Sequence, residues 1–69
     1  MDYHIAIDRE ITFFLRVNHM TQGQMAKKLG ITELTFSRKR RGESEFKTSE
    51  LLQVAQMCGK TPNQLLGME

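Results

Sequence analysis

The sequence contains one cysteine, two histidines and no tryptophan among its 69 residues. A single cysteine can form neither a disulfide within the chain nor a cysteine metal cluster, and two histidines make no persuasive zinc site. Cys58 lies in the apolar segment AQMCG, and we interpret it as a small buried hydrophobic residue. We therefore expect no metal, no cofactor and a reducing, cytoplasmic setting.

Long apolar segments are missing as well. No stretch approaches the roughly 20 apolar residues that a membrane-spanning helix requires. The first ten residues, MDYHIAIDRE, have neither the basic region nor the apolar run of a signal peptide. We expect no membrane partner and a single small domain over residues 1–69, near the lower limit of size for a chain that folds alone.

Few residues suit catalysis or the stacking of unpaired bases. His4 and His19 lie at predicted helix ends without an acid or a nucleophile at a recognisable spacing, so we predict no enzyme and no small-molecule substrate. The aromatic residues are one Tyr and four Phe, most of them in apolar stripes. Because sequence-specific RNA recognition depends on aromatic stacking, RNA binding is a weak hypothesis.

The net charge is only +2, but the positive charge is concentrated in one segment. Residues 27–47 contain seven basic and three acidic residues, whereas the rest of the chain contains three basic and five acidic residues. Such a cluster is typical of a protein that neutralises phosphates, although runs of charge also occur on solvated helix faces. Cations in the last turn of a helix also stabilise its dipole, which gives part of this cluster a structural explanation.

Apolar spacing and capping residues predict an all-α fold of five helices, over about residues 5–17, 22–29, 33–41, 49–58 and 62–66. The first helix should end near Asn18 and His19, where the asparagine can take a left-handed conformation. T-x-x-Q capping boxes at Thr21 and Thr61 mark the starts of the second and fifth helices, and Thr32 caps the third.

The most informative segment is residues 20–42, MTQGQMAKKLGITELTFSRKRRG. It predicts two short helices joined by a glycine turn, the layout of a helix-turn-helix, which lays its second helix in the major groove of DNA. Ala26 allows the two helices to cross closely, Gly30 forms the bend, and Phe36 packs back onto the first helix. The other faces of the second helix then point away from the core.

The outer face of that second helix supplies candidates for reading bases. Arg38 can offer a bidentate pair to guanine, Glu33 can accept from cytosine N4–H, and Leu34 can contact a thymine methyl. Two alternatives stay open: Glu33 can instead serve the helix dipole, and Leu34 can belong to the core. The predicted base-reading residues are Thr32, Glu33, Leu34, Ser37, Arg38 and Arg41.

Phosphate contacts are predicted around the same unit. Gln22, at the start of its first helix, can meet a phosphate through its side chain and a helix-start N–H. Four cations are further candidates, which supply affinity rather than sequence choice. They are Lys27, Lys28, Arg40 and Lys47.

The pattern T-Q-x-x-M-A-x-x-L-G-I-T-x-x-T-F-S-R-x-x-x-G, from Thr21 to Gly42, resembles the Cro/C1-type helix-turn-helix family, also called the XRE or lambda-repressor-like family. The resemblance covers Ile11 to about Leu66 and includes the run LLQVAQMCGKTPNQLL. It implies a five-helix domain that binds operator DNA as a two-fold dimer, with a phosphate contact at Gln22 and base contacts at the six base-reading positions given above. It also implies a Cro-like or controller-type transcriptional regulator, a repressor of phage, prophage or plasmid type, associated with the nucleoid of a bacterial or phage-infected cell.

The chain departs from the family pattern at three places. Many relatives pair an Arg late in the first helix with a Glu near the end of the third, and here the matching residues are Leu15 and Arg40. Since both partners are replaced, no buried charge is stranded by this change. Lys39 falls where an apolar residue usually packs inward, so we expect its stem to snorkel or the helix end to shift. His19 takes the place of the usual glycine.

A protein-interaction module is the serious rival to a DNA-binding regulator. Some helix-turn-helix domains bind mainly a partner protein, as antitoxins do, and the basic helix end with Leu34 suits that role too. A homodimer is also expected. Its candidate contacts, which can equally complete the core of the monomer, are Met57, Leu65, Leu66 and Met68.

Overall fold

The computed structural model describes residues 3–68, and these residues form five helices and no strand. The helices are α1 (His4–Val17), α2 (Gln22–Leu29), α3 (Glu33–Arg40), α4 (Thr48–Cys58) and α5 (Pro62–Leu65). The predicted helices differ from these by at most one residue at either end. The predicted all-α architecture of five helices is therefore confirmed.

Side-chain caps fix the starts of two helices as predicted. At α2 the Thr21 backbone N–H donates to Gln24 Oε1 (2.8 Å) and the Gln24 N–H donates to Thr21 Oγ1 (3.1 Å). At α5 the Thr61 N–H donates to Gln64 Oε1 (3.0 Å) and the Gln64 N–H donates to Thr61 Oγ1 (3.2 Å). In each box the Thr and Gln side chains each accept one backbone N–H at the helix start. Residues within one turn of the chain therefore determine where both helices begin.

The end of α1 corrects one prediction. Asn18 is not left-handed (φ −95°, ψ 3°), and its side-chain amide donates to the Phe14 carbonyl (2.8 Å). The left-handed residue is His19 (φ 51°), the only non-glycine residue with a positive φ among those described. This is the position at which the resemblance expects a glycine, and the backbone explains that preference, because a Cβ is disfavoured in this conformation.

The core lies where α1 packs on α3, α4 and α5 and where α2 packs on α3 and α4. Among residues 3–68, its nine buried apolar residues are Ile7, Ile11, Met25, Ala26, Leu29, Phe36, Val54, Ala55 and Leu65. Leu65 is fully buried and so belongs to the monomer core rather than to a dimer contact. Cys58 is only half-buried against this core, and burial, followed by the neighbouring Glu10 carboxylate, raises the pKa of its thiol.

Lys39 does not extend its ammonium to solvent, so the predicted snorkelling of its stem is wrong. Its side chain is 6% exposed, and its Nζ forms an ion pair with the equally buried Glu50 at the start of α4. The same Glu50 Oε1 accepts the backbone N–H of Lys47 (2.8 Å), and the Lys39 ammonium lies 6.0 Å from the centre of the Phe46 ring. The cation is thus compensated inside the protein, and the pair joins the end of α3 to the start of α4.

None of the helices over residues 3–68 is long and apolar enough to cross a membrane.

Candidate nucleic-acid interface

The α2–α3 unit has the close crossing that the sequence predicts. Gly30 is left-handed (φ 76°), and the Ile31 N–H donates to the Ala26 carbonyl (3.1 Å), which ends α2 and turns the chain. Ala26 is 1% exposed and Phe36 is fully buried, so a small residue on α2 and a ring on α3 share the contact between the helices. This packing fixes which face of α3 is left for solvent.

That free face carries most of the predicted base-reading residues. Thr32, Glu33, Leu34, Arg38 and Arg41 are exposed, whereas Ser37 is half-buried. Leu34 is 58% exposed, which removes the alternative that it belongs to the core. The Thr32 hydroxyl caps α3 by accepting the Thr35 N–H (3.1 Å) and donates to the Thr35 hydroxyl (2.9 Å), so its methyl is the group left for a partner.

The two arginines on this face differ in their surroundings. The Arg38 side chain forms no hydrogen bond or ion pair with any residue of the described part of the chain, and all of its donors can turn outward. Arg41 Nε donates to Glu43 Oε2 (2.7 Å), with both side chains more than half exposed. An exposed ion pair of this kind contributes little to the stability of the fold, so the Arg41 guanidinium can exchange Glu43 for another anion.

Gln22 and Glu33 lie together at the start of α2. Gln22 Nε2 donates to Glu33 Oε2 (3.4 Å), and Glu33 Oε1 lies 2.8 Å from the point where a Cβ on Gly23 would be. The Glu33 carboxylate therefore rests against the first turn of α2, where the helix dipole favours an anion. The predicted phosphate contact of Gln22 lies at the same place, so a phosphate bound there would meet the Glu33 carboxylate.

Arg40 makes three hydrogen bonds within the protein that the sequence did not predict. Its Nε donates to Asp8 Oδ1 (2.5 Å), its Nη1 to Gln22 Oε1 (2.7 Å) and its Nη2 to Thr12 Oγ1 (2.9 Å). The guanidinium is 5.9 Å from the centre of the Phe36 ring, and the side chain is 17% exposed. One residue of α3 thus connects α1 to the start of α2, and a phosphate contact by Arg40 stays a prediction.

A family model described as the Cro/C1-type HTH DNA-binding domain matches residues 6–69. The chain belongs to this family. Comparisons with curated proteins and with solved structures gave no significant match. The α2–α3 unit is accordingly the helix-turn-helix of a Cro/C1-type DNA-binding domain, and α3 is its recognition helix.

In this Cro/C1-type domain the remaining predicted phosphate ligands lie at separate places around the recognition helix. Lys27 and Lys28 are exposed in the last turn of α2, at the opposite end from Gln22. Lys47 is exposed as the residue before α4, after the loop of residues 42–46 that follows the recognition helix. Because the side chains of these three lysines are exposed and not packed in the core, each could contact a phosphate without a change in the fold.

The sequence did not predict two contacts that shape the site, the Gln22–Glu33 hydrogen bond and the hydrogen bonds of Arg40. The signal for the second was present, since Asp8 and Thr12 lie one turn apart on α1 and share a face. What the sequence could not show is that the end of α3 lies over that face, because this depends on the packing of three helices.

Proposed function

We propose that this Cro/C1-type domain is a sequence-specific transcriptional regulator, a repressor of phage, prophage or plasmid type that reads operator DNA as a homodimer inside a bacterial or phage-infected cell. The observation that carries the proposal is the solvent-facing side of α3. There Leu34 and Arg38 extend from a helix whose opposite side is anchored in the core by Phe36.

The shape and chemistry of α3 suit the major groove. A groove about 12 Å wide admits one α-helix, since a helix with its side chains is about 10–12 Å in diameter. Arg38 has free donors for the O6 and N7 of guanine, and Leu34 and the Thr32 methyl are apolar groups for a thymine methyl. Glu33, Ser37 and Arg41 complete the proposed reading face.

Phosphate contacts then position the helix. Gln22 and the N-terminal N–H groups of α2 form the proposed clamp on one phosphate. Lys27, Lys28 and Lys47, with Arg40, supply charge around the groove. These are contacts of a binding function, and the proposal assigns no catalytic step to any of them.

A second candidate function rests on Leu34. A large apolar side chain that is 58% exposed in a cationic surface also suits a protein partner, as in an antitoxin-like module. The two functions differ in a simple measurement, because a module that binds only protein shows no affinity for duplex DNA even at low salt.

The proposed function is tested by selecting bound sequences from a pool of random duplexes. We expect an enriched sequence with two-fold symmetry and half-sites about 34–36 Å apart, or one helical turn. If no duplex is enriched at low salt, the regulator hypothesis is overturned and the protein-partner function takes its place.

Arg38→Ala should weaken binding to the selected duplex by about 1–3 kcal/mol and relax the preference at one base pair in each half-site. The matched control is Arg38→Lys, which keeps the charge but loses the bidentate fork. We expect the lysine variant to retain affinity for random DNA and to lose the base preference. Titration of the selected duplex and of its single-base variants measures both quantities, and unchanged preference in both variants would show that Arg38 is not on the reading face.

Glu33→Gln should strengthen binding to random duplex about twofold to fivefold, because it removes an exposed like charge, worth at most about 1 kcal/mol, from the position that a phosphate takes beside Gln22. If Glu33 also accepts from a cytosine, the same variant loses discrimination at that base pair. Gly23→Ala is the companion variant, since an added Cβ meets the Glu33 carboxylate at 2.8 Å and displaces it while keeping its charge. An unchanged affinity of Glu33→Gln for random duplex contradicts the competition between Glu33 and phosphate.

A further inference from the structure

The side-chain amide of Gln22, the residue of the proposed phosphate contact, is bound at both ends by residues of α3. Its Oε1 accepts from Arg40 Nη1 (2.7 Å), and its Nε2 donates to Glu33 Oε2 (3.4 Å). A guanidinium offers only donors and an ionised carboxylate only acceptors, so both neighbours require the same orientation of the amide. The oxygen of Gln22 therefore faces Arg40, and its NH2 group faces Glu33.

Arg40 is the more firmly held of the two neighbours. Its guanidinium donates to Asp8 and Thr12 of α1, and its side chain is 17% exposed. Glu33, by contrast, is an exposed residue, and its hydrogen bond to Gln22 is the longer one. Because the hydrogen bond from Arg40 is charge-assisted and comes from a fixed group, Arg40 determines which way the Gln22 amide faces.

This orientation of the amide suits a phosphate. A phosphate oxygen accepts hydrogen bonds, and the NH2 group of Gln22 has two donors, of which Glu33 uses one. The amide turned the other way would present its oxygen to the phosphate and repel it. The Glu33 carboxylate, toward which the NH2 group points, rests against the first turn of α2, where backbone N–H groups favour an anion.

We propose that Arg40 is a positioning residue for phosphate binding, which holds the Gln22 amide with its NH2 group turned toward a phosphate at the start of α2. The inference rests on the proposed function for the identity of that acceptor. Three of the five N–H groups of Arg40 are taken by Asp8, Gln22 and Thr12. Arg40 thus contributes through Gln22 as well as through its charge.

A charge-matched variant isolates this role. Asp8→Asn combined with Arg40→Met removes the guanidinium together with its counter-ion, so the net charge stays at +2 and no carboxylate loses its partner. Circular dichroism confirms that the variant is folded. Nuclear magnetic resonance of the isotopically labelled protein without DNA then follows the side-chain amide of Gln22, whose signal is assigned by its loss in Gln22→Ala.

We expect the Gln22 amide signal of the unmodified chain to lie apart from those of Gln53 and Gln56, which are exposed and form no side-chain hydrogen bond within the described residues. In the charge-matched variant it should move to the position of those two. Thr12→Val is the matched control, since it removes one hydrogen bond of Arg40 and leaves the bond to Gln22. A Gln22 signal that is the same with and without Arg40 overturns the proposal.

Affinity for random duplex tests the link to phosphate in a double-mutant cycle. The charge-matched variant should bind about threefold to tenfold more weakly for each copy bound, roughly the contribution of one hydrogen bond, and Gln22→Ala should have a similar effect. Adding Gln22→Ala to the charge-matched variant should weaken binding by less than about twofold more, because both changes remove the same contact.

The control and the cycle each have an outcome that overturns the proposal. Thr12→Val should bind random duplex within about twofold of the unmodified chain. Additive losses in the cycle would show that Arg40 acts without Gln22. A loss in Thr12→Val equal to that of the charge-matched variant would show that the network acts through the packing of α1 on α3.

The resonance measurement separates this inference from the proposed function, because it needs no DNA. If no duplex is bound at low salt while the Gln22 signal depends on Arg40, the DNA-reading function is overturned, and with it the phosphate as acceptor, whereas the orientation of the amide by Arg40 stands. If duplexes are bound and the signal does not depend on Arg40, the proposed function stands and this inference is overturned.

Discussion

Replacing Glu50 by alanine is expected to destabilise the domain by about 3–5 kcal/mol, because it leaves the Lys39 ammonium buried without its counter-ion. It also removes the acceptor for the Lys47 N–H at the start of α4. Small domains have a total stability of about 5–15 kcal/mol, and this chain is near the lower size limit, so the variant should be largely unfolded at moderate temperature. Urea denaturation followed by circular dichroism measures the loss.

The control is the double variant Lys39→Met with Glu50→Gln. It removes both charges, while the amide oxygen of the glutamine still accepts the Lys47 N–H. Replacing both members of a buried ion pair is often close to neutral, so we expect most of the lost stability to return. A double variant as unstable as Glu50→Ala would show that packing around position 50, and not the stranded charge, accounts for the loss.

The pH dependence of stability gives the same pair a second signature. Burial alone raises the pKa of Glu50, but the hydrogen bonds from Lys39 and from the Lys47 backbone, with the nearby positive charges, lower the pKa overall below 4.5. A carboxyl with a lowered pKa in the folded state stabilises the fold above its unfolded pKa, and this contribution is lost as the pH falls through the folded value. The unmodified domain should therefore lose stability below about pH 4.5 more steeply than the double variant does.

The sequence was sufficient to predict the helices because their limits are set by local chemistry. The Thr21–Gln24 and Thr61–Gln64 boxes and the left-handed Gly30 act within one turn of chain, and the structure has all of them. His19 is the instructive exception. Asparagine is the commoner left-handed residue, but Asn18 has a negative φ with its side-chain amide on the Phe14 carbonyl, and the left-handed residue is His19.

The polar contacts that position the site could not be predicted because they join residues far apart in the chain. The position of Lys39, where an apolar residue usually packs inward, predicts that its stem snorkels or that the helix end shifts. Glu50 instead supplies an anion to Lys39 from the next helix, and Asp8 supplies another to Arg40 from the first. Two neighbouring cations of one basic run, Lys39 and Arg40, thus hold the helices together, whereas Arg38 has no hydrogen-bond partner among the described residues.

Binding to the selected duplex is expected to weaken about 1,000-fold when the salt concentration is raised from 50 to 200 mM. The reason is counterion release, since neutralising about six phosphates gives a slope of roughly −5 in log affinity against log salt. The cations proposed for this are Lys27, Lys28 and Lys47 in each copy of a dimer, six in all. Fluorescence anisotropy with labelled duplex at a series of salt concentrations gives the slope directly.

Single substitutions show which side chains contribute to the slope of log affinity against log salt. Lys27→Ala should reduce it by about 1 for each copy bound and should weaken all sequences alike, because a phosphate contact carries no base preference. Lys60→Ala is the matched control, since Lys60 lies beyond the end of α4 and pairs with Glu10 (3.6 Å), away from the α2–α3 unit. A slope near zero for the unmodified domain contradicts a phosphate-binding surface altogether. A slope lowered equally by both variants would show that the charge acts as a diffuse field rather than through contacts around the recognition helix.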